Sequence, residues 1–159
     1  MTEDARFEDA GGRALHLGAL DAEDLKVISS LAQDSVLPVT EIRYQPRRRR
    51  LALLLNRVRW EDVTGPRAAA RPPERVRSLL VFDNVLSVSS QGVDRTDTDL
   101  ILSILAISFE EGPPPGGHVL LTLAGDGVLR AEVEALEVTL RDVTRPYLAP
   151  SGKLPKHPD

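Results

Sequence analysis

Ile42-Arg43-Tyr44-Gln45-Pro46-Arg47-Arg48-Arg49-Arg50-Leu51-Ala52-Leu53-Leu54-Leu55-Asn56-Arg57-Val58-Arg59-Trp60-Glu61 is the stretch whose reading decides the fold. Its apolar period is two. Ile42 and Tyr44 alternate with Glu41, Arg43 and Gln45, as a half-buried strand requires. Pro46 to Arg48 reads as a turn. Leu51, Leu53 and Leu55 then share one face of a second strand, with Ala52, Leu54 and Asn56 on the other. The strand is expected to run on through Arg57, Val58, Arg59 and Trp60.

Upstream the period is helical. Asp21 is a natural N-cap, with Asp24 near the positive end of the dipole. Leu25, Ile28, Leu31 and Ala32 follow at helical spacing, which predicts a helix over 22–33 ended by Asp34, Ser35 and Pro38. Residues 1–13, polar and containing Gly11-Gly12, read as a flexible leader.

Downstream, 64–73 is an Ala-, Pro- and Gly-rich loop, and Val76 to Phe82 make a strand. Asp83-Asn84 signals a turn or bulge before Val85, Leu86 and Val88 resume β character. Leu100 to Phe109 is almost wholly apolar, and a strand buried on both faces is expected, with a short core helix as the rival. Gly112 to Gly117 holds three consecutive prolines and reads as a loop. Gly125-Asp126-Gly127 is the strongest hairpin signal. The alternation that follows changes phase at Ala135-Leu136, where a bulge is expected. Over 135–143 a strand is preferred to a helix because Val138 and Thr139 are β-branched. Residues 145–159, rich in proline, read as a flexible tail.

These elements predict an α+β fold. An N-terminal helix packs on a mainly antiparallel sheet of six or seven strands, or on a partly closed barrel of the pleckstrin-homology kind. The 159 residues make one domain, placed at 14–144. With no cysteine, disulfides, thiolate metal sites and a Cys nucleophile are excluded. No apolar run approaches the roughly 20 residues of a membrane helix. Met1 to Arg6 lack the basic-then-apolar pattern of a secretory signal, so a bacterial-type cytoplasm is the expected address.

Charge is unevenly distributed. Residues 41–77 hold eleven arginines and four acids, in a chain whose net charge is -4. Alternation places Arg57, Arg59 and Glu61 on one strand face and Asn56, Val58 and Trp60 on the other. Two such guanidiniums lie about 6.6–7 Å apart and would clamp neighbouring phosphates or carboxylates. Trp60 or Tyr44 would offer a stacking surface. The expected recognition set is therefore Arg57, Arg59, Trp60, Asn56, Glu61 and Arg43. A competing reading makes the same arginines a solvated face paired with acidic strands such as Glu132, Glu134 and Glu137.

Other features carry less. Asp94, Asp97 and Asp99 lie in a loop without the spacing of a calcium site. His16, His118 and His157 lie far apart, so no metal or cofactor is expected. Asp83 reads as a turn residue. No G-x-S-x-G elbow, phosphate-binding glycine loop or H-E-x-x-H helix occurs. A non-catalytic binding or assembly domain is the first reading, its partner an anionic ligand, another protein or a second copy. Weak RNA binding is the second, and an enzyme acting on a small anion through Glu61 or Asp83 is the third.

Taken together, Leu20 to Ser29, Leu55 to Glu61 and Phe82 to Val88 resemble a family of small proteobacterial proteins, catalogued as domain of unknown function 2948. Asn56, Arg57, Trp60 and Glu61 are its most specific part. Gly92-Val93-Asp94 and Leu105 to Phe109 also fit. The resemblance spans roughly residues 15–145 and departs in the 64–73 and 112–117 loops. It implies a bacterial cytoplasmic protein with a shared fold, and supplies no activity, ligand or catalytic residue.

Overall fold

A computed structural model describes residues 14–62, 74–145 and 147–148. The expected leader, the 64–73 loop and most of the expected tail lie outside the described residues. The elements in chain order are β1 (His16–Ala19), α1 (Ala22–Ala32), β2 (Val36–Pro38), β3 (Ile42–Gln45), β4 (Arg50–Val58) and β5 (Glu74–Phe82). They continue with β6 (Val85–Gln91), β7 (Ile101–Glu111), β8 (Gly117–Leu123), β9 (Val128–Val133), β10 (Val138–Asp142) and β11 (Tyr147–Leu148). Short 3-10 turns occupy Val39–Glu41, Pro46–Arg48 and Trp60–Asp62.

The helix begins as its sequence dictates. Asp21 caps it by accepting from the Asp24 amide at 2.8 Å, and Glu23 and Asp24 sit in the first turn. Leu25, Ile28 and Ala32 are buried on one side. Ser29 fastens the helix to the sheet, its Oγ accepting from the Ile107 amide at 2.8 Å.

Eleven strands pair antiparallel among the described residues, against the six or seven expected. Their order is β1-β10-β5-β4-β2-β7-β8-β9-β6, with β3 added to β4 and β11 to β5. The path is open and does not close into a barrel. One core serves its whole length. Leu51, Leu53, Leu55, Leu80, Phe82 and Leu140 come from one part of the sheet, and Ile104, Val119, Leu121, Leu123, Ala131 and Val133 from the other. Burying each such side chain contributes roughly 1.5–3 kcal/mol.

Several expectations are corrected. Strand β7 is buried on one face only. Leu102, Ile104 and Ile107 point inward, while Ile101 is 58% and Leu105 37% exposed. Antiparallel sheets pack one face on the core and leave the other to water. A register shift between Ile104 and Ala106 moves the inward phase from even to odd residues. Of the two readings of Asp83-Asn84, the turn holds and the bulge does not, because β6 leaves β5 and pairs with β9. It is a corner, with Asn84 at φ 60, the Asp83 amide on the Glu137 carbonyl and the Val85 amide on the Arg49 carbonyl. The phase change at Ala135-Leu136 is a similar break between β9 and β10, where the chain leaves one group of strands for another.

Other readings hold. The strand over 138–142 replaces the rival helix. Gly125 and Asp126 both have positive φ, and the Leu123 amide donates to Gly127 at 2.8 Å, which closes the β8–β9 hairpin. Tyr147–Leu148, inside the segment read as tail, pairs with Arg75 and Glu74 of β5. No helix among the described residues is long and apolar enough to cross a membrane.

Candidate functional site: an inward charged cluster beneath an outward cationic face

Strand β4 sorts its side chains by alternation as far as Arg57. Leu51, Leu53, Leu55 and Arg57 are buried, whereas Ala52, Leu54 and Asn56 are only partly covered. Arg57 thus continues the core face of the leucines, and its exposed side is 0%. Four partners satisfy its fork. Nη1 and Nη2 donate to the two Glu61 carboxylate oxygens at 3.0 and 2.8 Å. Nε and Nη2 donate to Asp142 at 3.1 Å, Nε to Ser78 Oγ at 3.1 Å, and Nη1 to the Val58 carbonyl at 3.1 Å.

Asp142, equally buried, is the hub. It accepts from Ser78 Oγ at 2.6 Å and from the Leu15 amide at 2.9 Å, so one carboxylate ties β4, β5, β10 and the residue before β1. Burial works against the charge on Arg57, but the hydrogen bonds and charges of Glu61 and Asp142 more than offset it and raise its pKa. Burial likewise pushes Glu61 up, while the Arg57 hydrogen bond and charge, with the Arg59 charge, hold its carboxyl below the usual range.

Arg59 is 3% exposed. Trp60 is half-buried, and its Nε1 donates to the Gln33 carbonyl at 2.7 Å, capping the end of α1. The expected projecting Arg57/Arg59/Trp60 surface is therefore corrected: Arg57 and Arg59 are buried, and Arg57 and Trp60 fasten elements together. Glu61 joins them. Only Asn56 and Arg43 of the set lie on the outward side. Among the expected acidic partners, Glu134 does pair with an arginine, but with Arg49. Asp83 accepts from Arg50 Nε at 2.9 Å, a corner ion pair.

The outward face of the sheet holds what the sequence reading missed. Register places His16 opposite Arg141, Arg141 opposite Leu79, and Leu79 opposite Leu54. One step along, Arg77 lies opposite Asn56, and further over, Arg43 lies opposite Ala52. His16, Arg43, Arg77 and Arg141 are exposed, and none makes a side-chain hydrogen bond or ion pair among the described residues. Cationic groups thus rim a shallow apolar centre. The signal was the phase of β5: Leu80 and Phe82 face the core, so Ser78 and Val76 follow them and Arg77 and Leu79 do not.

Among the described residues no three His, Asp or Glu side chains lie close enough to hold a metal ion. The geometry defines an α+β domain with a stapled interior and an open, cationic sheet face. Over residues 15–157 the chain matches the family described as protein of unknown function, DUF2948, and it belongs to that family. No curated protein and no solved structure matches it.

Proposed function

We propose that the protein is a non-catalytic binding module that holds an acidic protein segment on the outward face of its sheet. The observation that supports this reading is the row formed by Arg43, Arg77 and Arg141, unpaired among the described residues, with His16 beside them, around Leu54 and Leu79. Inward arginines such as Arg57 are neutralised within the fold, whereas Arg43, Arg77 and Arg141 on the outward face have no side-chain partner among the described residues. A segment alternating acidic and apolar side chains matches a face on which cations and leucines alternate. The arginines supply planar forks for carboxylates.

An acidic polypeptide is favoured over RNA on the composition of the face. Single-stranded RNA is held by stacking on exposed aromatics. Trp60 is committed to the helix end and Tyr44 Oη donates to the Leu86 carbonyl at 3.1 Å. In this reading Arg57, Arg59, Trp60 and Glu61 support the binding face from beneath, and Asn56 and Arg43 belong to it.

The experiment is fluorescence anisotropy with a labelled Glu/Leu-alternating peptide and with oligouridine, at low and physiological salt. The peptide binds the wild type and loses at least tenfold in affinity with Arg77→Ser plus Arg141→Ser. Steeply salt-dependent binding of oligouridine alone replaces the reading with RNA recognition. Binding of neither overturns it. Light scattering at high micromolar concentration detects the case in which a second copy occupies the face.

A further inference from the structure

We infer that the slot between β3 and β6 is a binding site for a small apolar monocarboxylate. The two strands meet at one end only, where the Val85 amide donates to Arg49 and Tyr44 Oη to Leu86. No ladder joins them among the described residues, which leaves the gap where a closed barrel would have its last pair. The gap contains a cavity of about 150 Å³. Its walls are the apolar side chains of Val39, Ile42, Leu51, Val88, Val93 and Leu129. That volume matches an apolar cavity known to take up benzene. A ligand with a single ring or a short branched tail fills it.

The polar lining fixes the other end of the ligand. Thr40, Tyr44 and Thr98 offer hydroxyls, and Arg95 is the one charged residue in the lining among the described residues. Arg95 makes no hydrogen bond or ion pair among the described residues, although Asp94, Asp97 and Asp99 surround it in sequence. Two of those carboxylates are engaged by the loop itself. Asp94 accepts from Thr96 Oγ1 at 2.6 Å and from the Thr96 amide at 3.0 Å, and Asp97 from the Asp99 amide at 3.0 Å. The guanidinium is left for a ligand. The same three acids give the neighbourhood a negative field, so the site accommodates one negative charge and opposes two. Apolar walls with a cation at the mouth select a carboxylate with a hydrophobic body.

Benzoate is the probe, titrated into the isotope-labelled full chain and followed by amide NMR. Saturable shifts are expected at Val88, Val93 and Leu129. Benzyl alcohol, the neutral analogue, and phthalate, the dianion, bind at least tenfold more weakly. Arg95→Gln lowers benzoate to the level of benzyl alcohol, while Arg130→Gln, a cation elsewhere on the sheet, leaves it unchanged. Arg95 is exposed on a loop, and the spectrum itself reports that the variant is folded. The proposal is overturned by the absence of saturable shifts, by benzyl alcohol or phthalate binding as tightly, by indifference to Arg95→Gln, or by shifts confined to the outward cationic face.

Discussion

Arg57 and Asp142 lie 85 residues apart in sequence and meet at 3.1 Å with both side chains wholly shielded from water. Arg57 continues the inward phase of a leucine-lined strand, so a guanidinium sits where an aliphatic side chain would be expected. It persists there because Glu61, Asp142, Ser78 and a carbonyl together satisfy its donors. Such a cluster is weak evidence of added stability but strong evidence that its parts depend on each other.

Arg57→Met removes the cation that pairs with the buried Asp142 carboxylate. The expected loss is about 3–5 kcal/mol, read as a lower urea midpoint with an unchanged slope. Adding Asp142→Asn should cost less than the two single losses summed, since the second change removes the stranded charge. Strict additivity would mean that the pair is not coupled.

Glu61 gives the protein an acid limb. Its folded pKa is lowered, chiefly by the Arg57 hydrogen bond and charge acting against burial. A carboxyl depressed on folding stabilises the native state above its unfolded value, about 4.3, and that stabilisation fades as pH falls through the folded value. Arg57, with its pKa raised, stays protonated throughout this window and adds no slope. Unfolding free energy should therefore decline below about pH 4.3 in the wild type. Glu61→Gln should be less stable at neutral pH and flatter in that range; an unchanged acid slope would exclude Glu61 as its source.

Ser35 carries a buried hydroxyl with no hydrogen-bond partner among the described residues. Its backbone is well used, the amide donating to Ala32 and the carbonyl accepting from Ile104. Ser35→Ala keeps those bonds and removes an uncompensated polar group. A gain of about 1 kcal/mol is expected, or about 2–4 °C in Tm. Calorimetry that finds the alanine variant less stable would show that the hydroxyl has a partner.

Trp60 closes the end of α1 through its indole N–H. Trp60→Phe keeps most of the packing and leaves the Gln33 carbonyl unmet, at a cost of about 0.5–1.5 kcal/mol. Hydrogen exchange should quicken in the last turn of the helix and in the connection to β2, with the far hairpins unaffected. Because Trp60 is the only tryptophan, its fluorescence reports this junction alone. Acidic peptide bound on the outward face should leave its emission unchanged.

Elements with a local cause were legible in the sequence. Asp21 and the apolar spacing gave the helix within a residue of its end, and Gly125-Asp126-Gly127 gave the hairpin. The family resemblance held over nearly the whole chain. Elements defined by their partners were not legible. Asp83-Asn84 reads as a turn or a bulge and Ala135-Leu136 as a bulge, yet each is a place where the chain changes neighbours.

What the sequence determined by itself was period. It is a property of the backbone, and it already carried Arg57 on the same face as Leu51, Leu53 and Leu55. Which face met the core was decided only by tertiary structure, because burying a guanidinium is tolerable only where distant acids converge on it. Asp142 comes from 85 residues away and joins Glu61, four residues on, in holding Arg57, whereas Arg43, Arg77 and Arg141, on the opposite phase, face water.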